Sequence, residues 1–217
     1  MEHQFWHEKW NNNEIGFHQS DTNPWLIKYL NKLNLTPNGR LFLPLCGKTR
    51  DIDWLLQQGY QVIGSELNES AVQQLFDRLK VTPDVQNSGL LKIYMSGPLK
   101  VFTGDLFALQ VNDLGHVDAT FDRAALVALP TEMRQQYAVH ITSLTAMAPQ
   151  LLICFAYNQF DMDGPPFSVT EAEIRSLYAN HYTIHHLDEG PVKGGLKGHC
   201  PAMETCWLLS KESEPIA

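Results

Sequence analysis

Apolar and polar positions along this chain follow two periods, and the change from one to the other marks most of its elements. Short apolar runs at 40–45, 60–65, 117–121, 151–157, 182–187 and 203–210, bounded by Gly, Asn, Asp or Pro, read as strands. Between them lie stripes with the helical period. Ile52, Leu55 and Leu56 share a face in 49–58, which Gly59 stops. Ala71, Val72, Leu75, Phe76 and Leu79 follow an Asn68 cap, and Met133, Tyr137, Ile141 and Leu144 follow Thr131. Segment 90–102 reads as a hairpin turned at Ser96, Gly97 and Pro98, and a further helix begins near Thr170. Run 151–157 is almost unbroken, as in a central strand covered on both faces. Strands alternating with helices and closing in two adjacent strands predict a doubly wound, mostly parallel sheet with helices on both faces and an antiparallel last strand.

Two helices precede this alternation. Residues 3–12 carry Phe5, Trp6, Lys9 and Trp10, and the indoles at 6 and 10 share one face, so they either finish the core or close over a site. The next helix has Asp21 or Thr22 as its expected cap, Pro24 in its first turn, and a stripe of Trp25, Leu26, Tyr29, Leu30 and Leu33. Residues 1–35 are thus expected to form a helical cover on a single 217-residue domain.

Composition narrows the partners. The net charge is −8 and no Lys/Arg cluster exists, which argues against nucleic acid. No apolar run approaches the roughly 20 residues of a membrane span, and the N-terminal stretch lacks a secretory pattern. Cys46, Cys154, Cys200 and Cys206 lie far apart, which suits reduced thiols, so the expected location is the cytoplasm. With no heptad repeat, the expected state is a monomer. His185 and His186 alternate faces of a strand, and His199, Cys200 and Cys206 lack ligand spacing, so no metal is expected.

The stretch 39–66 carries the candidate chemistry: strand, turn with Cys46 and Gly47, helix, and a second strand closing on Glu66. In a parallel unit the ligand lies beyond the carboxyl end of the first strand, and an acid about 20 residues past the turn can accept hydrogen bonds from both hydroxyls of a ribose. Asp105 and the pair Asp122–Arg123 follow later strands and are expected at the same edge. The turn is not a phosphate loop, because Phe42 stands where the first glycine of that motif belongs, and the three-glycine dinucleotide pattern is missing too. A phosphate-free nucleoside fits better, and S-adenosylmethionine is the common cofactor of that description. Its ribose is expected at Glu66, its adenine near Asp105 and Leu106, and its methionine part over Leu45 toward Trp10.

The strings FWHEKWNNNEIGFHQ (5–19), LFLPLCGKTRDIDWL (41–55), GYQVIGSELNESAV (59–72), FDRAALVAL (121–129) and GPPFSV (164–169) resemble those of the thiopurine S-methyltransferases. The likeness spans nearly the whole chain and departs after about residue 188. It implies a class I methyltransferase fold with a seven-stranded sheet, and cofactor contacts at Trp6, Trp10, Leu45, Glu66, Asp105, Leu106 and Arg123, with Phe17 between cofactor and acceptor. A late basic residue lines the acceptor pocket in that family, and Lys193 and Lys197 are the candidates here. The implied reaction is methyl transfer to the sulfur of an aromatic or heterocyclic thiol. Arg123 is the candidate catalytic and substrate-binding residue, holding the acceptor as a thiolate, against the plainer reading of a salt bridge to Asp122 or Glu66. Selenium or tellurium compounds as acceptors, and a cofactor-binding module without turnover, are the alternatives.

Overall fold

A computed structural model describes residues 3–211. Helix α1 (His3–Asn11) and α2 (Pro24–Tyr29) precede the first strand, β1 (Arg40–Leu43). There follow α3 (Arg50–Gln57), β2 (Gln61–Glu66), α4 (Glu69–Leu79), β3 (Asp84–Ser88), β4 (Leu91–Ser96) and β5 (Leu99–Thr103). The second half holds α5 (Val111–Leu114), β6 (Ala119–Arg123), α6 (Thr131–Leu144), β7 (Gln150–Ala156), α7 (Glu171–Tyr178), β8 (Thr183–Pro191) and β9 (Met203–Ser210).

The strands form one sheet in the order β3-β4-β5-β2-β1-β6-β7-β9-β8. The five central strands, β5-β2-β1-β6-β7, pair in parallel, while β9 runs antiparallel to both β7 and β8. Chain order reverses between β1 and β6, since β1 leads to β2 on one side and neighbours β6 on the other. A doubly wound sheet opens its ligand crevice at such a point.

Successive strand residues feed opposite layers. Leu41 and Leu43 of β1, and Leu151 and Ile153 of β7, pack with Ile52, Leu55, Leu75 and Phe76 on one face. Phe42, Leu152 and Cys154 pack with Tyr137, Ile141, Ile174 and Tyr178 on the other. Both layers are apolar because both faces of the central strands are covered by helices.

Several boundaries differ from the sequence expectation. The sheet has nine strands among the described residues rather than seven: the expected hairpin is present as β4 antiparallel to β5, and β3 adds an outer edge that was not expected. β3 reads DVQNS and is largely exposed, so no apolar alternation announces it. β1 stops at Leu43, because Pro44 begins the turn and Leu45 adopts a left-handed φ of 47°. The cap of α2 is Asn23, whose Oδ1 accepts from the amides of Trp25 and Leu26; neither Asp21 nor Thr22 fills the role. Such a cap is worth about 1 kcal/mol. Asp122 and Arg123 lie inside β6 rather than beyond it.

Candidate functional site

The turn after β1 is bound tightly to the end of β2. Leu45 N–H donates to Ser65 Oγ (3.3 Å), Cys46 N–H to the Ser65 carbonyl (2.8 Å), and Gly47 N–H to Glu66 Oε2 (2.7 Å). Two glycines permit this approach. A Cβ on Gly64 would stand 2.7 Å from Cys46 Sγ, and one on Gly47, at φ +54°, would stand 3.1 Å from the Trp10 ring. The amides of Leu45, Cys46 and Gly47 are therefore all engaged by β2.

Glu66 ends β2 with its carboxylate buried; Oε1 accepts from Asn68 N–H at 2.8 Å. Burial raises its pKa, opposed by the amides of Asn68, Gly47 and Leu67. No cation pairs with it among the described residues. The neighbouring Cys46 thiol is pushed well up by burial and then by Glu66, so it is an inert wall rather than a nucleophile.

Helix α1 crosses the carboxyl edge of the sheet. His3 Nε2 lies 3.5 Å from Asp105 Oδ2, and His7 Nδ1 lies 3.1 Å from Asn68 Nδ2. Phe17 stands edge-on to Trp6 (5.7 Å) and Trp10 (5.5 Å), and Lys48 Nζ sits 5.6 Å from the Trp10 ring centre. The three rings form an aromatic wall.

Behind that wall is a cavity of about 1020 Å³, at the upper end of the usual range for ligand pockets. It is lined by Trp6, Trp10, Phe17, Leu45, Glu66, Asp105, Leu106 and Arg123, so all eight candidate residues come together there. Asp105 Oδ1 also accepts from Phe107 N–H at 2.9 Å, capping the short helical turn that carries Leu106. Lys193 and Lys197 both line the cavity as well, and the Lys197 ammonium donates to the Pro165 carbonyl.

The pair read from the sequence as Asp122–Arg123 splits. Adjacent residues of β6 point to opposite faces. Asp122 is fully buried away from the cavity, accepting from Tyr137 Oη at 2.6 Å and Leu126 N–H at 3.2 Å, and burial pushes its pKa up to about 6. Arg123 faces the cavity and donates from Nη1 to the Phe17 carbonyl at 2.8 Å. It makes no salt bridge with Asp122 or Glu66. Its electrostatic partners are Asp51 and Glu204, which oppose the lowering that burial imposes on its pKa.

Those two acids were not legible as site residues. Asp51, in the first turn of α3, is buried, with Oδ1 accepting from Asn23 N–H and Oδ2 from Thr49 Oγ1, both at 2.7 Å. Glu204 sits near the start of β9, between Met203 and Thr205. His18 also lines the cavity, and burial, then Lys48, Arg78, Arg50 and Arg123, lower its pKa.

A sequence model of the family described as thiopurine S-methyltransferase matches residues 1–198. The chain belongs to the thiopurine S-methyltransferase family. A thiopurine S-methyltransferase of Xanthobacter autotrophicus is 50% identical over 97% of this chain and 100% of that one, and one of Gluconobacter oxydans is 44% identical over 95% and 94%. Among solved structures, the chain is similar to the Burkholderia thailandensis 1,6-didemethyltoxoflavin-N1-methyltransferase, with a TM-score of 0.63, 15% identity, and coverage of 96% of this chain and 87% of that one. It is also similar to a SAM-dependent methyltransferase of Anabaena variabilis (TM-score 0.62, 14% identity, coverage 96% and 95%). The fold is thus that of class I methyltransferases, and family membership makes the protein a methyltransferase with S-adenosyl-L-methionine as donor. No helix among the described residues is long and apolar enough to cross a membrane.

Proposed function

We propose that the protein transfers a methyl group from S-adenosyl-L-methionine to the sulfur of an aromatic or heterocyclic thiol of the thiopurine type, giving S-adenosylhomocysteine and a thioether. The observation that carries this reading is the pairing of a buried, cation-free carboxylate, Glu66, with a part-buried guanidinium, Arg123, in one cavity behind an aromatic wall.

The residues present fit the cofactor. Glu66 has lone pairs beyond those used by Gly47 and Asn68, and a buried carboxylate without a cation suits the two hydroxyls of a ribose. The amides of Leu45, Cys46 and Gly47 are spent on β2, so those three are not free for a pyrophosphate, which supports a nucleoside without phosphates. Asp105 and Leu106 would border the adenine, and Leu45, Trp6 and Trp10 the methionine part. When bound, the cofactor supplies an electrophilic methyl group on a sulfonium.

Arg123 acts as an electrostatic anchor. A guanidinium stays charged at ordinary pH and cannot take a proton, but it favours the thiolate form of an acceptor nearby. Trp6, Trp10 and Phe17 keep water out, which strengthens that attraction and favours a step in which opposite charges cancel. Phe17 is fixed by the same guanidinium through its carbonyl, so the wall and the anchor form one unit. The buried free thiols suit a reducing compartment, and the proposal carries a cytoplasmic, monomeric enzyme.

The test is transfer of labelled methyl from the cofactor to a panel of thiopurines, thiophenols, selenols and tellurite, with wild type and Arg123→Ala. Thiol turnover that Arg123→Ala reduces at neutral pH by about a hundredfold, with recovery at high pH, is expected. Turnover of selenols or tellurite with no thiol product overturns the acceptor class. An Arg123→Ala deficit that stays constant across pH overturns the anchor.

A further inference from the structure

Glu204 is a charged group in the cavity for which the reaction described above has no use. Because β9 runs antiparallel to β7, its first residues return to the carboxyl edge of the sheet, and Glu204 lies opposite Phe155 near the end of β7 and opposite Gly190 in β8. Both Phe155 and Glu204 line the cavity, with Arg123 on the same lining. Glu204 Oε1 has almost no contact with solvent and no hydrogen-bond partner among the described residues. Leaving such an oxygen unmatched costs about 1–3 kcal/mol, more for a charge. Asp51, the other acid facing Arg123, is already supplied with donors by Asn23 and Thr49. The unfilled acceptor is therefore Glu204 alone among the charged lining groups near the guanidinium.

A hydrogen-bond acceptor that the protein leaves empty selects a ligand that brings a donor. An acceptor molecule whose sulfur is a simple thiolate has none beside that sulfur. A heterocyclic thione does: its ring N–H sits on the atom next to C=S. Resting on the thiol-methylation reading above, we propose that Glu204 is a catalytic base and specificity determinant, whose carboxylate accepts the N–H beside the thione sulfur and takes that proton during transfer. The electrons balance. As the N–H bond breaks to Glu204, its pair forms the ring C=N, and the C=S π pair moves onto sulfur. Sulfur forms the S–CH3 bond, and the sulfonium C–S pair returns to the donor sulfur as a neutral thioether. Arg123 faces the charge gathered on the acceptor sulfur while Glu204 ends protonated. Burial, opposed by Arg123, raises the Glu204 pKa, which makes the carboxylate a stronger proton acceptor than an exposed one.

The experiment compares pyridine-2-thione with thiophenol, two acceptors that differ by one ring nitrogen, in wild type and Glu204→Gln. Glutamine keeps the shape and can accept the N–H, but it cannot take the proton. We expect kcat/KM for pyridine-2-thione to fall about a hundredfold. Turnover of thiophenolate should rise, since a negative charge near an anionic acceptor is removed. Binding of pyridine-2-thione to the cofactor-free protein, followed by tryptophan quenching, should weaken about tenfold. Equal losses on both acceptors would reduce Glu204 to a support for Arg123 and overturn the proposal, as would an unchanged thione rate in the variant. If wild type methylates neither compound, the broader thiol-methylation reading fails instead, so the two failures are distinct.

Discussion

The two ends of the cavity are built on opposite terms. At the tips of β2 and β5, the chain has already satisfied its own polar atoms: Glu66 holds Gly47 and Asn68, Ser65 holds Leu45 and Cys46, and Asp105 holds Phe107. At the tips of β6 and β9, among the described residues, Arg123 makes a single hydrogen bond, to Phe17, and Glu204 Oε1 makes none. A ligand at the first end adds to a finished frame, whereas a ligand at the second supplies partners the chain left out. The first arrangement suits a cofactor that stays the same in every turnover. The second makes the choice of acceptor a matter of which donors and acceptors the incoming molecule carries.

The strongest way to break this contrast is Glu66→Ala. It removes two expected hydrogen bonds from a ribose and also frees the amides of Gly47 and Asn68. Cofactor Kd by calorimetry should rise at least a hundredfold, about 3 kcal/mol. An affinity within threefold of wild type would place the sugar elsewhere.

Asp122 sharpens the contrast from behind, since it shares β6 with Arg123 but faces inward. Its folded pKa of about 6 lies above the ordinary 3.8. Between those values the folded protein keeps a proton that the unfolded chain has lost, so stability falls as pH rises through about 4 to 6 and the loss is complete above that. At about 1.4 kcal/mol per pH unit the cost approaches 3 kcal/mol. Asp122→Asn should remove this share of the fall, so that in urea unfolding the variant gains about 2 kcal/mol on the wild type between pH 4.5 and 7.5. A gap independent of pH would mean that Asp122 does not change protonation on folding.

Gly47→Ala is the mildest test. A Cβ there meets the Trp10 ring in a backbone region that alanine disfavours. Cofactor affinity should fall about tenfold while pyridine-2-thione binding to the free protein changes less than threefold. Equal weakening of both ligands would show that the two ends are one site in energetic terms.

Much of this was written locally. The stripe Ala71-Val72-Leu75-Phe76 and the run 151–157 gave α4 and β7, because burial on one helical face or on both sides of a central strand leaves a period in the residues. Glu66, Asp105 and Arg123 were legible because acids and cations at parallel strand ends fall on one edge. Edge strand β3 was not, since an exposed strand with one ladder needs no apolar face. Asn23 lost to Asp21 and Thr22 because the three stand side by side and only the true φ/ψ selects the cap. Glu204 and Asp51 gave no sign, because their meaning comes from Arg123, far away in sequence and joined to them only by the crossing of β6 beside β1 and the return of β9.

The antiparallel return of β9 has a practical corollary for handling the enzyme. Its last residues, paired with the start of β7 through Gln150 and Leu209, leave the sheet at the edge remote from the cavity, whereas α1 lies against the cavity itself. A purification tag or fluorescent fusion belongs after β9; one placed ahead of α1 would tug on the Trp6–Phe17–Arg123 chain of contacts and distort every assay of acceptor preference.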